Sequence, residues 1–245
     1  DKFYYDLDTS DYSWSNAANW TDNAGTTLVG VPTAADVVKH VKKPEVTIVV
    51  DGPAEADDVV LTHNNTASLS VVTGGELHIY DEIKMGTYGT GGGSLSIDGG
   101  SVNVDDLIAM SPTSTGSSSI HLSSGSLVVS NQLYMGQKSG STAVNTFNIT
   151  GGTADIGTVY VGRLSPGTLN ISGGSLVVTN NSWDALRISH EAGGTGEVNL
   201  SGGSILTKRI DINVGGGSDG ALNILGGSVE VSESYAAAIR VDSNG

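Results

Sequence analysis

The segment GTLNISGGSLVV, residues 167–178, has an apolar-x-apolar unit on each side of a Gly-Gly pair. Leu169 and Ile171 precede the pair and Leu176 and Val178 follow it, so each flank has the period of a strand with one buried face. The same frame recurs around Gly74-Gly75, Gly99-Gly100, Ser124-Gly125, Gly151-Gly152, Gly173-Gly174, Gly202-Gly203 and Gly226-Gly227. Self-similarity at a nearly constant spacing predicts a solenoid, in which each repeat buries its apolar face against its neighbours.

A third apolar-x-apolar unit follows each of these strand pairs. Its copies are Ile83–Met85, Ile108–Met110, Leu133–Met135, Val159–Val161, Leu186–Ile188, Ile212–Val214 and Ile239–Val241. Parallel crossover connections are almost always right-handed. The sequence therefore predicts an all-β fold, a right-handed parallel β-helix (β-solenoid) with three short strands per coil and about seven to eight coils.

The distance from the second glycine of each pair predicts which side chains point inward. In the first repeat this count places Ser70 and Val72 on the inward face, in line with Leu95 and Ile97 of the next repeat. Ser70 is then the polar exception in an otherwise apolar column.

The outward position between the two inward residues carries amides in the later repeats. These residues are Asn148, Asn170, Asn199 and Asn223. Stacked amides in register can hydrogen-bond along the rod, so we predict a structural ladder. The alternative is that these amides contact a ligand.

The outward column of the third strand is the best candidate for a ligand face. It reads Lys84, Ala109, Tyr134, Tyr160, Arg187, Asn213 and Arg240. Aromatic faces beside guanidinium groups suit an acidic extracellular glycan, so the ligand-face candidates are Tyr134, Tyr160, Arg187 and Arg240. The alternative is ordinary cross-strand packing on a solvated face.

Residue types and spacings typical of catalysis are missing from the sequence. The histidines lack metal-ligand spacing, there is no Gly-x-Ser-x-Gly motif, and Arg187 and Arg240 have no acidic neighbour in their predicted column. Asp57-Asp58 and Asp105-Asp106 are adjacent pairs, which point to opposite faces of a strand. We predict no catalytic residue, no metal site and no cofactor. The alternative is Ca²⁺ held at a corner by such carboxylates together with Asp81 and Glu82.

The pattern differs before the first glycine pair. Residues 14–20 read WSNAANW, and Pro32 and Asp36 follow. An uncovered first coil exposes unpaired backbone groups and apolar surface. We therefore predict an N-terminal leader and cap region in residues 1–45 and parallel β-helix repeats in residues 46–245.

The W-x-x-A-A-N-W stretch, the following Pro and Asp, and the serial Gly-Gly-Ser units resemble the autotransporter-type β-strand repeat proteins. They also resemble the related exported, surface-sorted β-helix proteins of Gram-negative bacteria. The resemblance covers nearly the whole chain and implies a β-helix and export. It does not imply one activity, because such proteins include adhesins, matrix proteins and occasional enzymes.

The composition excludes some classes of partner and favours one cellular compartment. Eleven Lys and Arg against 26 Asp and Glu give a net charge of -15, which repels nucleic acid and anionic membrane surfaces. No apolar run is long enough to span a bilayer, so we expect no membrane insertion. The absence of cysteine fits a cytosolic protein as well as an exported one, so it does not discriminate between compartments. The start at Asp1 is consistent with a processed segment, and from the polar, acidic, Lys-poor composition we expect a secreted protein at the cell surface or outside the cell.

The end of the sequence suggests how the rod continues. Ser243-Asn244-Gly245 aligns with Ser218-Asp219-Gly220, the corner that precedes another coil. Either the segment is cut from a longer rod, or its open end receives another subunit. In the second case the leader could add to a neighbouring copy, and the assembly candidates are Tyr4, Tyr5 and Tyr12.

These observations favour a non-catalytic, secreted structural or adhesive β-solenoid of a bacterial cell surface or extracellular fibre. Head-to-tail self-association through the solenoid ends is the expected partnership. The alternative is a carbohydrate-binding β-helix module for acidic polysaccharide. A polysaccharide lyase is a third and less favoured hypothesis.

Overall fold

The structure is a computed structural model that describes residues 1–4, 11–40, 46–61, 66–87, 89–179, 185–214, 219–232 and 238–242. The assembly candidate Tyr5 and the C-terminal residues 243–245 lie outside this part of the chain. So do residues 215–218 and the side chain of Tyr4.

The chain forms three faces of parallel strands stacked rung upon rung, a β-solenoid of about seven turns. The first face consists of β4 (Thr47–Val50), β7 (Ala67–Val72), the start of β10 (Gly93–Val104), the start of β12 (Ser119–Met135), β13 (Asn145–Ile149), β15 (Gly167–Ile171), β18 (Thr195–Leu200) and β21 (Asp219–Ile224).

The second face begins where each coil has turned its first corner. It consists of β5 (Pro53–Ala56), β8 (Glu76–Ile79), the end of β10, the middle of β12, the start of β14 (Thr153–Val161), β16 (Ser175–Val178), β19 (Ser204–Thr207) and β22 (Ser228–Val231).

The third face closes each coil. It consists of β3 (Val37–His40), β6 (Asp58–Leu61), β9 (Glu82–Met85), β11 (Leu107–Met110), the ends of β12 and β14, β17 (Leu186–Ile188), β20 (Ile210–Ile212) and β23 (Ile239–Val241). The predicted all-β solenoid with three strands per coil is confirmed.

Alternation along the strands builds the core, because every second side chain points into the rod. In the coil that starts at residue 167 the inward side chains are almost fully buried. They are Leu169, Ile171, Leu176, Val178, Leu186 and Ile188. Each such side chain stabilises the fold by about 1.5–3 kcal/mol through burial.

Six strands of the third face, from β9 to β20, end in a backbone turn of left-handed conformation. The φ angles lie between 52° and 79° at Gly86, Ser111, Gly136, Gly162, Ser189 and Asn213. The non-glycine members bond across the corner: Ser189 Oγ donates to the Gly194 carbonyl over 2.7 Å, and Asn213 Oδ1 accepts from the Gly220 amide over 2.7 Å. These bonds compensate for backbone strain that a side chain suffers in this region.

The predicted register of the first repeat is wrong by one residue. Leu69 pairs with Leu95 and Val71 with Ile97, so Leu69 and Val71 point inward and Ser70 points outward. The corner after β7 contains one more residue than later corners, and two consecutive residues of β10 face Val72. A shift of one residue exchanges the two faces of a strand.

The third strand of a later coil is also displaced from its predicted place. Ile210–Ile212 forms β20, and Asp211 pairs with Arg187 on one side and Arg240 on the other. Asn213 has left the strand, because its φ of 59° turns the chain into the corner. The predicted absence of an acidic neighbour beside the two arginines is therefore wrong.

The N-terminal segment covers the first coil. Trp14 and Trp20 are buried with their ring centroids 5.0 Å apart, and Trp20 Nε1 donates to the Trp14 carbonyl over 2.8 Å. A 3-10 turn, Ala17–Asn19, joins them and is capped by the side chain of Asn16.

The stack extends beyond the repeats recognised in the sequence. The strand β1 (Lys2–Tyr4) pairs in parallel with β3 and antiparallel with β2 (Trp20–Thr21). Stacked strands thus reach into residues 1–45, the range that the sequence assigns to the leader and cap.

Candidate functional site

The outward column of the third face brings the two predicted tyrosines together. Tyr134 and Tyr160 occupy paired positions of adjacent rungs, and their ring centroids lie 5.0 Å apart with an interplanar angle of 61°. The Arg163 guanidinium lies over the Tyr134 ring, 4.3 Å from its centroid. The Arg187 guanidinium lies 5.4 Å from the Tyr160 centroid.

Corner residues complete this arrangement, which we call the tyrosine–arginine cluster. Its members are Tyr134, Tyr160, Arg163, Arg187, His190 and Glu191. Arg163 Nε donates to Glu191 Oε1 over 2.7 Å, and Arg187 Nη1 donates to His190 Nε2 over 2.7 Å. The cluster therefore satisfies much of its own charge and hydrogen-bonding capacity.

Burial governs the electrostatics of the cluster. The Tyr160 ring is only 7% exposed, and this burial raises the pKa of its hydroxyl. Burial also lowers the pKa of His190, and the nearby Arg187 charge lowers it further. The neutral imidazole can then accept the hydrogen bond from Arg187.

The fourth ligand-face candidate is separated from the other three. Asp211 stands in register between Arg187 and Arg240, is 3% exposed, and accepts from Arg209 Nε over 2.8 Å. Arg240 forms an ion pair with Asp242 at 2.7 Å. The structure brings Tyr134, Tyr160 and Arg187 together and does not bring Arg240 to them.

The outward amides of the first face form one continuous row of hydrogen bonds. Asn170 donates to Asn148 over 2.9 Å, Asn199 donates to Asn170 over 3.0 Å, and Asn223 donates to Asn199 over 2.8 Å. The row uses one donor or one acceptor of each amide at every step along the rod. The geometry is that of a ladder along the rod.

Acidic side chains gather at the corner between the second and third faces. The carboxylate oxygens of Asp58, Asp81 and Glu82 come within 4.8 Å of one another. Lys84 Nζ lies 2.7 Å from Glu82 and 3.6 Å from Asp58. These oxygens are ligands that a calcium ion accepts, but the Lys84 ammonium already balances part of their charge.

The same crowding of carboxylates changes the titration of Asp81. Burial raises the pKa of Asp81, and repulsion from Asp58, Asp106 and Asp57 raises it further. This corner is a place of charge repulsion in the folded protein.

Two assembly candidates have described backbone positions next to the cap and the first face. Tyr4 is paired with Trp20, and the carbonyl of Tyr12 accepts from the Val49 amide over 2.9 Å. The side chain of Tyr12 is 40% exposed.

The sequence did not indicate Arg163, His190 or Glu191 as site residues. They lie in corners of variable length, where no periodic column marks them, and stacking brings them beside the tyrosines. One feature of the sequence could have indicated Arg163: it is a basic residue that directly follows a strand ending in Tyr-x-Gly.

Within the described residues, no helix has the length and apolar character needed to cross a membrane. Comparisons of the chain with protein-family models, with curated proteins and with solved structures find no match.

Proposed function

We propose that this β-solenoid is a non-catalytic structural element that extends by stacking, secreted and placed at a bacterial cell surface or in an extracellular fibre. The last described rung carries the proposal. Its residues Ile224, Ile239 and Val241 are 53%, 50% and 63% exposed. The corresponding Leu200, Ile210 and Ile212 of the preceding rung are at most 8% exposed.

Such an edge is unfavourable in water. Apolar burial stabilises by roughly 25 cal/mol per Å², and a further parallel layer would both cover these side chains and pair the backbone groups of β21, β22 and β23. A further coil of polypeptide or a second copy of this chain supplies that layer by the same register as the rungs below it.

The compartment is proposed from composition and resemblance. The net charge of -15 disfavours polyanionic partners, and the W-x-x-A-A-N-W and Gly-Gly repeats resemble exported β-helix proteins.

Self-association is tested by sedimentation and electron microscopy of the 245-residue chain over a range of concentrations. We expect concentration-dependent end-to-end species that disappear in Val241→Asp, because a charge on the stacking edge is costly to bury. The matched control is Leu206→Asp, which places a charge on the outward side of the second face, one rung before the last, at a position that is already 39% exposed. A strictly monomeric parent chain would overturn self-association.

The non-catalytic part of the proposal is tested separately. Incubation with a panel of uronate polymers, monitored in the ultraviolet for unsaturated products, should give no signal. Product formation that is lost with a single substitution on the rod would overturn it.

A second candidate is a binding module for acidic polysaccharide at the tyrosine–arginine cluster. The guanidinium groups of Arg163 and Arg187 beside two tyrosines favour it, since they concentrate positive charge on an acidic protein. Two observations oppose it. Tyr160 is almost fully buried, and the Asp211 carboxylate lies in register between Arg187 and Arg240, so it separates the two arginines. Polyuronate binding that is lost in Arg187→Gln but kept in Arg240→Gln would support this candidate, and an absence of binding would remove it.

A further inference from the structure

A groove lies between the N-terminal cap and the second face, at the end of the rod opposite Val241. Its volume is about 560 Å³, within the range of small-molecule sites in proteins. Val31 and Pro32 form an apolar wall, and the floor carries Glu55, Glu76 and His78.

The floor follows the stacking of the rod. Glu76 stands in register between Pro53 and Ser101, and His78 stands in register between Glu55 and Asn103. Polar side chains are thus repeated over three rungs, two steps of about 4.8 Å. This distance suits about two linked pyranose rings.

A flat aromatic pair borders the carboxylates. The His78 and Tyr80 rings are stacked with centroids 4.1 Å apart and an interplanar angle of 26°. His78 Nε2 lies 3.0 Å from Asp105 Oδ1, and the Tyr80 hydroxyl donates to Glu55 Oε2 over 3.4 Å. Contacts on both sides orient the pair, while Tyr80 remains 42% exposed.

The charge of the groove selects the ligand. Glu55 and Glu76 line the groove together with His78, and Asp105 is paired with the His78 imidazole. Three carboxylates against one imidazole repel a polyanion and attract an amine. Carboxylates and amides also accept and donate to sugar hydroxyls, and an aromatic surface packs against the apolar side of a pyranose.

We propose that this groove binds a short oligosaccharide of amino sugars. A basic peptide fits the floor less well. Strand addition, one common way to bind an extended peptide, needs a free strand edge, whereas the backbone of β8 is paired with the rungs on both sides and the floor offers side chains.

The test measures binding of a fully deacetylated glucosamine hexamer by calorimetry, with its N-acetylated form, a uronate oligomer and oligolysine as comparison ligands. We expect the glucosamine hexamer to bind most tightly and the uronate oligomer not to bind. Glu76→Gln should weaken binding about tenfold, the effect of one lost charge-assisted hydrogen bond, and Tyr80→Ala should weaken it as well.

The matched control is Glu230→Gln, which removes a carboxylate from the same face outside the groove and should leave the affinity unchanged. Circular dichroism checks that each variant is folded. Three results would overturn the proposal: no binding of the hexamer, an equal loss in Glu230→Gln, or oligolysine binding that matches the hexamer and is insensitive to Tyr80→Ala. The stacking variant Val241→Asp should bind the hexamer normally, so the groove and the rod end are tested independently.

Discussion

The side-chain amide of Asn170 donates to the side-chain oxygen of Asn148 across 2.9 Å, one rung away on the first face. Asn199 repeats this relation with Asn170, and Asn223 repeats it with Asn199. Each bond joins residues of successive coils, so the row adds side-chain cohesion to the backbone bonds between rungs. In a solenoid, stability resides largely in such contacts between neighbours.

Asn170→Ala should lower the free energy of unfolding by about 1–2 kcal/mol, because two ladder bonds are lost and two partners are left with an unpaired group. Asn223→Ala should cost less, since this exposed residue makes one bond in the ladder. Urea unfolding followed by circular dichroism measures both. Equal losses in the two variants would contradict a cooperative ladder.

Ser189 separates backbone strain from hydrogen bonding in a corner. Ser189→Ala keeps the positive φ of 55° and loses the bond to Gly194, so we expect a loss of about 1–3 kcal/mol. Ser189→Gly loses the same bond and relieves the strain, so it should be less destabilising. A more stable Ala variant than Gly variant, measured by thermal unfolding, would contradict this account.

Gly162 occupies the same corner position one rung earlier and should tolerate no side chain. Its φ is 71°, and a Cβ there would lie 2.0 Å from the Thr195 carbonyl oxygen. Gly162→Ala should therefore be more destabilising than Ser189→Ala in the same unfolding experiment. The control is Gly140→Ala, where φ is also 71° but a Cβ would meet open space. A similar loss in both glycine variants would show that strain alone decides the effect.

His190 should make stability depend on pH. Its folded-state pKa lies below the ordinary value of 6.5, because of burial first and then Arg187, while Glu191, Asp211 and the Val214 backbone act in the opposite direction. The unfolded state then binds the proton more readily, so stability present above pH 6.5 is lost as the pH falls through the folded pKa.

His190→Asn should reduce stability at pH 8, because the contacts of the imidazole are lost. The free energy of unfolding should then fall less steeply between pH 7 and pH 5 in this variant than in the parent protein. Nuclear magnetic resonance titration of the imidazole checks the direction of the shift, and unfolding at each pH checks the slope. Equal slopes in the parent and the variant would contradict the role of His190.

Asp81→Asn should stabilise the protein at pH 7. Because the folded-state pKa of Asp81 is raised, its ionised form costs stability above that pKa, and the cost disappears as the pH falls below the unfolded value. The side chain is largely exposed, so the gain should be only a few tenths of a kcal/mol, about the size of a surface charge effect. Salt should reduce the gain, since it screens the neighbouring carboxylates. A salt-independent difference in melting temperature would contradict repulsion as its cause.

Much of the fold could be predicted because its signals are local. Residues such as Leu169 and Ile171 are two apart on one strand, and the glycine pairs mark the corners. The register of Leu69 and the place of Asp211 could not be predicted in this way. Both depend on how many residues a corner absorbs before the next strand begins, and the strand pattern does not record that number.

The sequence alone determines that this chain is a three-sided stack with an aliphatic interior, because period-two alternation and repeated corners leave few other ways to bury those side chains. Only the tertiary structure decides which outward groups meet. Stacking places residues such as Arg163 and Glu191 in contact although they are 28 positions apart, and it sets the cap loop at Val31 beside Glu55 and Glu76. Contacts of this kind depend on corner length and cap placement, which are settled when the coils close and stack.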